Sequence, residues 1–442
     1  MKKTDKLFNG SLSRRQFVKN SAYTAGGGLL LGSLPIGSTA YAAGSDTLKV
    51  ALVGCGGRGS GAANQALIAD EGVQLVAMAD AFRDRLDECY SNLQNRWGDS
   101  DRLDVPEERK FVGFNSYKDA IAEADVVILT TPPAFRPKHF EAAIEAGKHV
   151  FMEKPVATDA PGIRSVLETG RLAKEKNLNV VVGLQRRYQE IYLEMVKRVR
   201  DNALGKLISG QVYWNDGGVW VKERQPDQNE MEYQMRNWYY FNWLCGDHIV
   251  EQHIHNIDVA NWFIDAYPIS AQGMGGREVR TGKDHGQIFD HHFVEFTYPE
   301  GQVIASQCRH IPNTFRRVDE FFQFAEGEVH AGGGVMTDWS GNELYVHNAM
   351  NDPNPYQVEH DVLFAAIRNG NRVDDTEIGA KATMSAIMGR MATYSGQVIT
   401  WEDAMNSEKI LVPDDLDWDV NPPVMPDENG NYPVPVPGVY EI

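Results

Sequence analysis

Cysteine is scarce in this chain, and the four present, Cys55, Cys89, Cys245 and Cys308, lie far apart. None forms a CxxC pair, which excludes zinc ribbons and a dense disulfide framework and leaves room for one bridge at most. Basic residues are in deficit: 43 Lys and Arg stand against 61 Asp and Glu, a net charge of −18. No Lys/Arg block beyond the extreme N-terminus could neutralise a phosphate backbone, so nucleic acid is excluded as a partner. Long hydrophobic runs are also missing. The most apolar stretch, around Leu29-Leu30-Leu31, is interrupted by glycine and falls short of the roughly 20 residues that a membrane helix needs. With 42% hydrophobic and 24% charged residues, neither disorder nor a fibrous repeat is expected, and 442 residues suit two domains of roughly 100 to 200 residues each.

The first 42 residues read as an address. Lys2, Lys3 and Lys6 precede Ser13-Arg14-Arg15-Gln16-Phe17-Val18-Lys19, and a Gly-rich, weakly apolar stretch follows, ending in Ala40-Tyr41-Ala42. The string resembles a twin-arginine (Tat) export signal. That resemblance implies a periplasmic mature protein, cleaved near residue 42, which crosses the membrane folded and already loaded with any cofactor. The absence of cysteine near the cleavage region argues against a lipid anchor.

Residues 48 to 53, Leu-Lys-Val-Ala-Leu-Val, read as a buried strand that runs into Gly54-Cys55-Gly56-Gly57-Arg58-Gly59 and a helix beginning near Ser60. Gly54 permits the tight turn, Gly56 lets backbone approach a pyrophosphate and Gly59 allows close helix packing. A second apolar run, Val73 to Ala79, ends at Asp80, about 20 residues on, where a carboxylate meets an adenosine ribose. Strand, glycines, helix, strand and acid stand in the order of an NAD site. Asp80 disfavours a ribose phosphate, although Arg83 and Arg85 leave NADP open. The alternation continues through strands at 125–129, 149–151 and 179–184, apolar without alternation, as in a parallel sheet covered on both faces.

Two constellations carry chemistry. The strand ending at Met152 delivers Glu153-Lys154-Pro155 to the edge where ligands bind in open α/β sheets, and an ammonium there favours an alkoxide. Further on, His248, Glu251, His255 and Asp258 follow spacings of three, four and three, which places them on one helical face and points to proton handling. No recognised metal-ligand spacing is present, so no metal is expected.

Together these residues resemble the glucose-fructose oxidoreductase and inositol dehydrogenase family, written Gfo/Idh/MocA. The resemblance rests on the glycine motif, Thr131-Pro132-Pro133 with His139 beyond, Glu153-Lys154-Pro155, and Glu251-x-x-x-His255-x-x-Asp258. Here Glu251 stands where Asp is more usual, and the segment from Ala380 to Met405 looks like a Bacteroidetes-type branch. The family implies NAD(P)-dependent redox chemistry on sugars or polyols, with Lys154 and His255 beside the nicotinamide and Glu251 on substrate. On this reading the cofactor contacts are Gly54, Gly56, Gly57, Arg58, Gly59, Asp80, Thr131, Pro132, His139, Glu153 and Lys154. Asp258 orients His255, and Arg186, His248, Trp243 and His310 are candidates for the sugar.

After residue 187 amphipathic strands at 207–214, 293–298, 303–307 and 320–325 predict a largely antiparallel sheet. The expected organisation is a signal at 1–42, an α/β Rossmann domain at 43–187, an α+β substrate domain at 188–411 and a Pro-rich arm at 412–442. In the resembling family one open face of the second sheet joins subunits, which implies a dimer or tetramer. The expected function is an exported oxidoreductase that moves hydride between a carbohydrate carbinol and a tightly bound NAD. A glycoside hydrolase working through transient oxidation and elimination, and a non-catalytic carbohydrate binder, are the alternatives.

Overall fold

The computed structural model describes residues 46–442; the export-signal reading lies outside the described residues. Strand and helix alternate through the first layer: β1 (Leu48–Val53), α1 (Gly57–Ala69), β2 (Val73–Asp80), α2 (Arg83–Trp97), β3 (Lys110–Val112), α3 (Ser116–Ala122), β4 (Val126–Leu129), α4 (Arg136–Glu145), β5 (His149–Met152), α5 (Ala160–Glu175) and β6 (Val180–Val182). All six strands run parallel in the order β3-β2-β1-β4-β5-β6. Outside β3 their Val, Ile and Leu side chains are buried on both faces, as the unbroken apolar runs require. The strand order reverses between β1 and β4, so the crevice opens beyond their carboxyl ends. Of these strands only β3 escapes the sequence reading, being three residues long and half-exposed.

The second layer comprises α6 (Glu190–Arg200), β7 (Leu207–Asp216), α7 (Glu230–Arg236), α8 (Asn242–Cys245), α9 (His248–Glu251), α10 (Ile254–Ile264), β8 (Ser270–Gly276), β9 (His291–Thr297), β10 (Val303–His310), β11 (Arg317–Phe324), β12 (Gly327–His330), β13 (Val335–Asp338), β14 (Glu343–Val346), α11 (Pro355–Asn369), α12 (Thr376–Ser395), β15 (Ile399–Thr400) and α13 (Trp401–Asn406). Nine strands form a sheet in the order β14-β13-β12-β11-β7-β10-β9-β8-β15. Every pairing is antiparallel except β7 with β10, which lie parallel in the register Ser209 to Val303. Side chains alternate: Val294, Phe296, Ile304 and Phe322 point into the core, covered by the almost wholly buried α12. The opposite face carries Tyr213, Phe321 and Arg317 in contact with one another.

The domains are not sequential. Val358, Val362, Leu363, Phe364 and Ile367 of α11 pack into the same core as Leu48, Ala62 and Leu67, so part of the 188–411 segment completes the first layer. The apolar face of α11 supplies the cover that a parallel sheet needs over α1. Residues 412–442 contain no helix or strand. They lace both layers through backbone groups: Lys138 donates to the Asp414 carbonyl (2.8 Å), Gln234 donates to the Val424 carbonyl (2.7 Å), and Gly438 N–H donates to the Ser395 carbonyl (2.7 Å). All four cysteines are buried and free.

Candidate active site

The glycine turn builds a cradle at the carboxyl edge of β1. Gly54 holds φ +98°, and a Cβ at Gly59 would lie 2.0 Å from the Gly54 carbonyl oxygen, so both positions require glycine. A Cβ at Gly56 or Gly57 would meet nothing within 4 Å, which leaves open space before the α1 N-terminus, where backbone N–H groups attract a pyrophosphate. Thr130 Oγ1 donates to the Gly54 carbonyl (2.6 Å) and braces the turn. Asp80 accepts from the N–H groups of Cys55 (2.6 Å) and Phe82 (2.9 Å), one per oxygen, and each oxygen keeps a lone pair for a ribose hydroxyl. Burial raises its pKa against the pull of those two donors. Arg83 pairs with Asp87 and Arg85 with Glu88, so the arginines that left NADP open are engaged. The residues present fit NAD.

Across the crevice, Thr131 Oγ1 meets His139 Nδ1 at 3.2 Å, and the imidazole stacks on Tyr117 with ring centres 4.1 Å apart. Burial first, then Arg136 and Lys138, push His139 down to about 3, so it is a neutral ring. Pro132 opens the short turn that leads into α4. Arg58 reaches from α1 to form an ion pair with Glu153.

Lys154 follows β5, and its Nζ donates to the Glu251 carbonyl (2.7 Å) and to Glu251 Oε1 (3.1 Å). His255 is buried, and its Nδ1 has no hydrogen-bond partner. Burial, reinforced by the Lys154 and Arg186 cations, holds its pKa well below the usual imidazole range, so the ring is neutral and ready to take a proton. Trp214 from β7 lies beside it with ring centres 6.1 Å apart.

Three expectations need correction. The segment 248–258 is two helices, α9 and α10, broken at Gln252-His253. Gln252 Oε1 meets His310 Nε2 (2.7 Å) and His253 Nε2 meets Ser306 Oγ (2.7 Å), and these contacts with β10 pull the chain out of one continuous helix. Asp258 does not hydrogen-bond His255; its two oxygens accept a bidentate pair from Arg187, both at 2.8 Å. Trp243 is core, with its indole N–H donating to Gln234 Oε1 (2.8 Å), and His248 and His310 are buried against each other, so these three rings do not face a sugar. Arg186 forms an ion pair with the fully buried Glu320, which also accepts from Asn256 (2.6 Å) and Tyr192 (3.0 Å).

The sequence reading missed Arg136, Arg187, Trp214 and Glu320. Arg136 is buried, with its Nε donating to the Glu153 carbonyl (2.9 Å) and another nitrogen to the Thr131 carbonyl (2.6 Å), which joins the two crevice loops. Its place in the first turn after Thr131-Pro132-Pro133 was the available signal. Arg187, Trp214 and Glu320 meet partners far away in sequence, and local pattern carries no trace of them.

The profile of a family described as "Oxidoreductase family, NAD-binding Rossmann fold" matches residues 48–184. An inositol 2-dehydrogenase of Acidiphilium cryptum is 32% identical over 193 residues, covering 44% of this chain and 50% of that protein. A glycosyl hydrolase family 109 protein of Shewanella pealeana is 25% identical over 245 residues, covering 51% and 50%. The chain spans about half the length of these curated relatives. The crystal structure of an aldose-aldose oxidoreductase from Caulobacter crescentus, complexed with glycerol, shares the fold over 80% of this chain and 99% of that one, with a TM-score of 0.62 and 18% identity. The Rossmann order of the first sheet, the glycine cradle and the Asp80 carboxylate agree with that match, and residues 48–184 are similar to the NAD-binding domain of the Gfo/Idh/MocA oxidoreductase family.

Proposed function

We propose that this chain oxidises a carbinol of a sugar, glycoside or polyol. The observation that carries the reading is the Lys154 ammonium, held by Glu251 at the carboxyl edge of β5 beside a neutral, buried His255. Bound NAD supplies the hydride acceptor. His255 takes the hydroxyl proton, because a neutral imidazole is the form that accepts one. Lys154 donates to the same oxygen as negative charge develops, and Glu251 fixes that ammonium while offering an acceptor to a neighbouring hydroxyl. Glycine turn, Asp80, Thr131 and His139 position the dinucleotide. The resemblance of residues 1–42 to an export signal supports a periplasmic location. There the cofactor stays bound and is recycled in place.

The test is the spectrum of purified protein mixed with single sugars. One turnover of bound nicotinamide, stalling until a carbonyl acceptor is added, is the expected result. A second reading rests on the family 109 relative: oxidation to a ketone acidifies the neighbouring carbon, loss of that proton eliminates the aglycone, water adds to the resulting unsaturated ketone, and the hydride returns to the carbonyl carbon. Steady aglycone release from a chromogenic glycoside without acceptor would establish it and displace the first. The open face of the second sheet, with Ile208 and Val303 exposed beside Tyr213 and Phe321, supports a homo-oligomer; light scattering of Phe321→Glu should then show a smaller species than wild type.

A further inference from the structure

Behind the proposed active site lies a group of buried residues that the redox chemistry does not use. Asp247 and His248 open α9, and His292 projects inward from β9; all three are almost completely buried. Asp247 Oδ1 lies 3.3 Å from His292 Nε2 and 3.8 Å from His248 Nε2. One ligand atom from each residue falls within 4.8 Å of the others.

The donors around this group are already divided. Asp247 Oδ2 accepts from the Phe289 N–H (2.9 Å) and the Tyr394 hydroxyl (2.6 Å), while Oδ1 accepts from the His248 backbone N–H and faces the two imidazoles. His292 Nδ1 is anchored on Thr393 Oγ1 (2.9 Å), which aims Nε2 at Asp247 Oδ1, 3.3 Å away. His248 is the stronger anomaly, since both of its ring nitrogens are buried without a partner. Leaving buried polar groups unpaired is costly, and a ring that only needed burial could be phenylalanine.

We propose that Asp247, His248 and His292 bind a divalent first-row cation, with zinc as the best match. Two imidazoles and one carboxylate are a zinc donor set, and metal–ligand bonds of about 2.0–2.2 Å place ligand atoms about 3.3–3.6 Å apart in a tetrahedral centre. The observed 3.3 and 3.8 Å separations fit that spacing. Of the three only His248 belongs to the stripe whose helical spacing the sequence brings to notice; Asp247 and His248 gain their third partner from a strand that begins at residue 291. The ion ties the corner at Asp247, where φ is +73°, to the second sheet. It thereby sets the short helix that carries Glu251, the residue holding Lys154.

The decisive experiment measures metal, not turnover. The full chain is stripped with EDTA, incubated with excess zinc or cobalt(II), and passed through gel filtration. Retention of about one zinc per chain by elemental analysis, a d–d absorption band for cobalt and a raised Tm are expected. His248→Gln and His292→Gln should each retain at least ~10-fold less metal, with bound NAD as the check on folding. Zinc-free wild type after loading, or unchanged retention in folded variants, would overturn the site in favour of an Asp247–His292 hydrogen bond alone. If the variants do not fold, the wild-type cobalt spectrum decides: no band means no site. A metal-binding chain with no activity on any sugar would sink the oxidoreductase reading and leave this one standing.

Discussion

At the level of single residues, Lys154 and His255, the pair proposed for the chemistry, stand in different layers, one just beyond β5 and the other on α10. Neither is part of the glycine cradle, so their loss should separate chemistry from cofactor binding. Lys154→Ala and His255→Ala are each expected to lower kcat by ~10²- to 10⁴-fold, with bound NAD unchanged by the spectrum of denatured supernatant. Asp258 belongs to a different class. Its partner Arg187 is buried and bidentate, and removing one member of a buried pair costs about 3–5 kcal/mol because the other charge is left alone. Asp258→Ala should therefore lower the urea midpoint strongly, and Arg187→Met in the same chain should recover part of the loss. Were Asp258 to act on His255, its removal would instead shift the pH profile of kcat while leaving stability in place.

Among the elements, β1 and its turn were readable from sequence because the constraint is local: strand, glycines and helix meet within a dozen residues. Asp80 was equally readable, since a strand end fixes where its carboxylate goes. The helix through 248–258 was not, because its break is dictated by Ser306 and His310 on β10. Periodicity reports which residues share a face only if the helix continues. Trp243 was misread for a related reason: an indole beside other aromatics looks the same in sequence whether it meets a sugar or, as here, Gln234. The local constraint also gives a clean test. In Gly59→Ala the new methyl cannot move away from the Gly54 carbonyl, 2.0 Å distant, without shifting the turn itself. NAD binding measured by titration should fall by well over tenfold, while melting of the second layer should be unaffected.

Taken as a whole, the molecule keeps several imidazoles neutral by burial, and this has a pH signature. His360 stacks on Phe151 with ring centres 4.2 Å apart, has both nitrogens unpartnered, and is held well below its usual range by burial and by Arg58; Glu359 is its buried neighbour in sequence. Below the unfolded histidine value of about 6.5 the unfolded chain binds a proton that the folded chain refuses. Stability from this group is therefore complete above about pH 6.5 and declines as pH falls. His360→Phe, which cannot take the proton, should gain on wild type by about 1 kcal/mol for each pH unit below that value, read from urea midpoints between pH 7.5 and 5. Equal slopes for the two proteins would show that His360 titrates in the fold as it does in the unfolded chain, and would overturn this reading.

The parallel register of β7 with β10 has a consequence for how the chain reaches this state. The β9–β10 hairpin and the β11–β14 ladder can each close through connections that are local in sequence, but β7 stands between them. Its partner positions on β10 lie on the order of 90 residues away, a separation that slows folding because loop entropy is lost before contacts repay it. Until β7 slots in, β10 and β11 face each other as two bare edges, able to recruit a strand from another molecule. The slow step in refolding should be this insertion, and the species waiting for it the one from which aggregates grow.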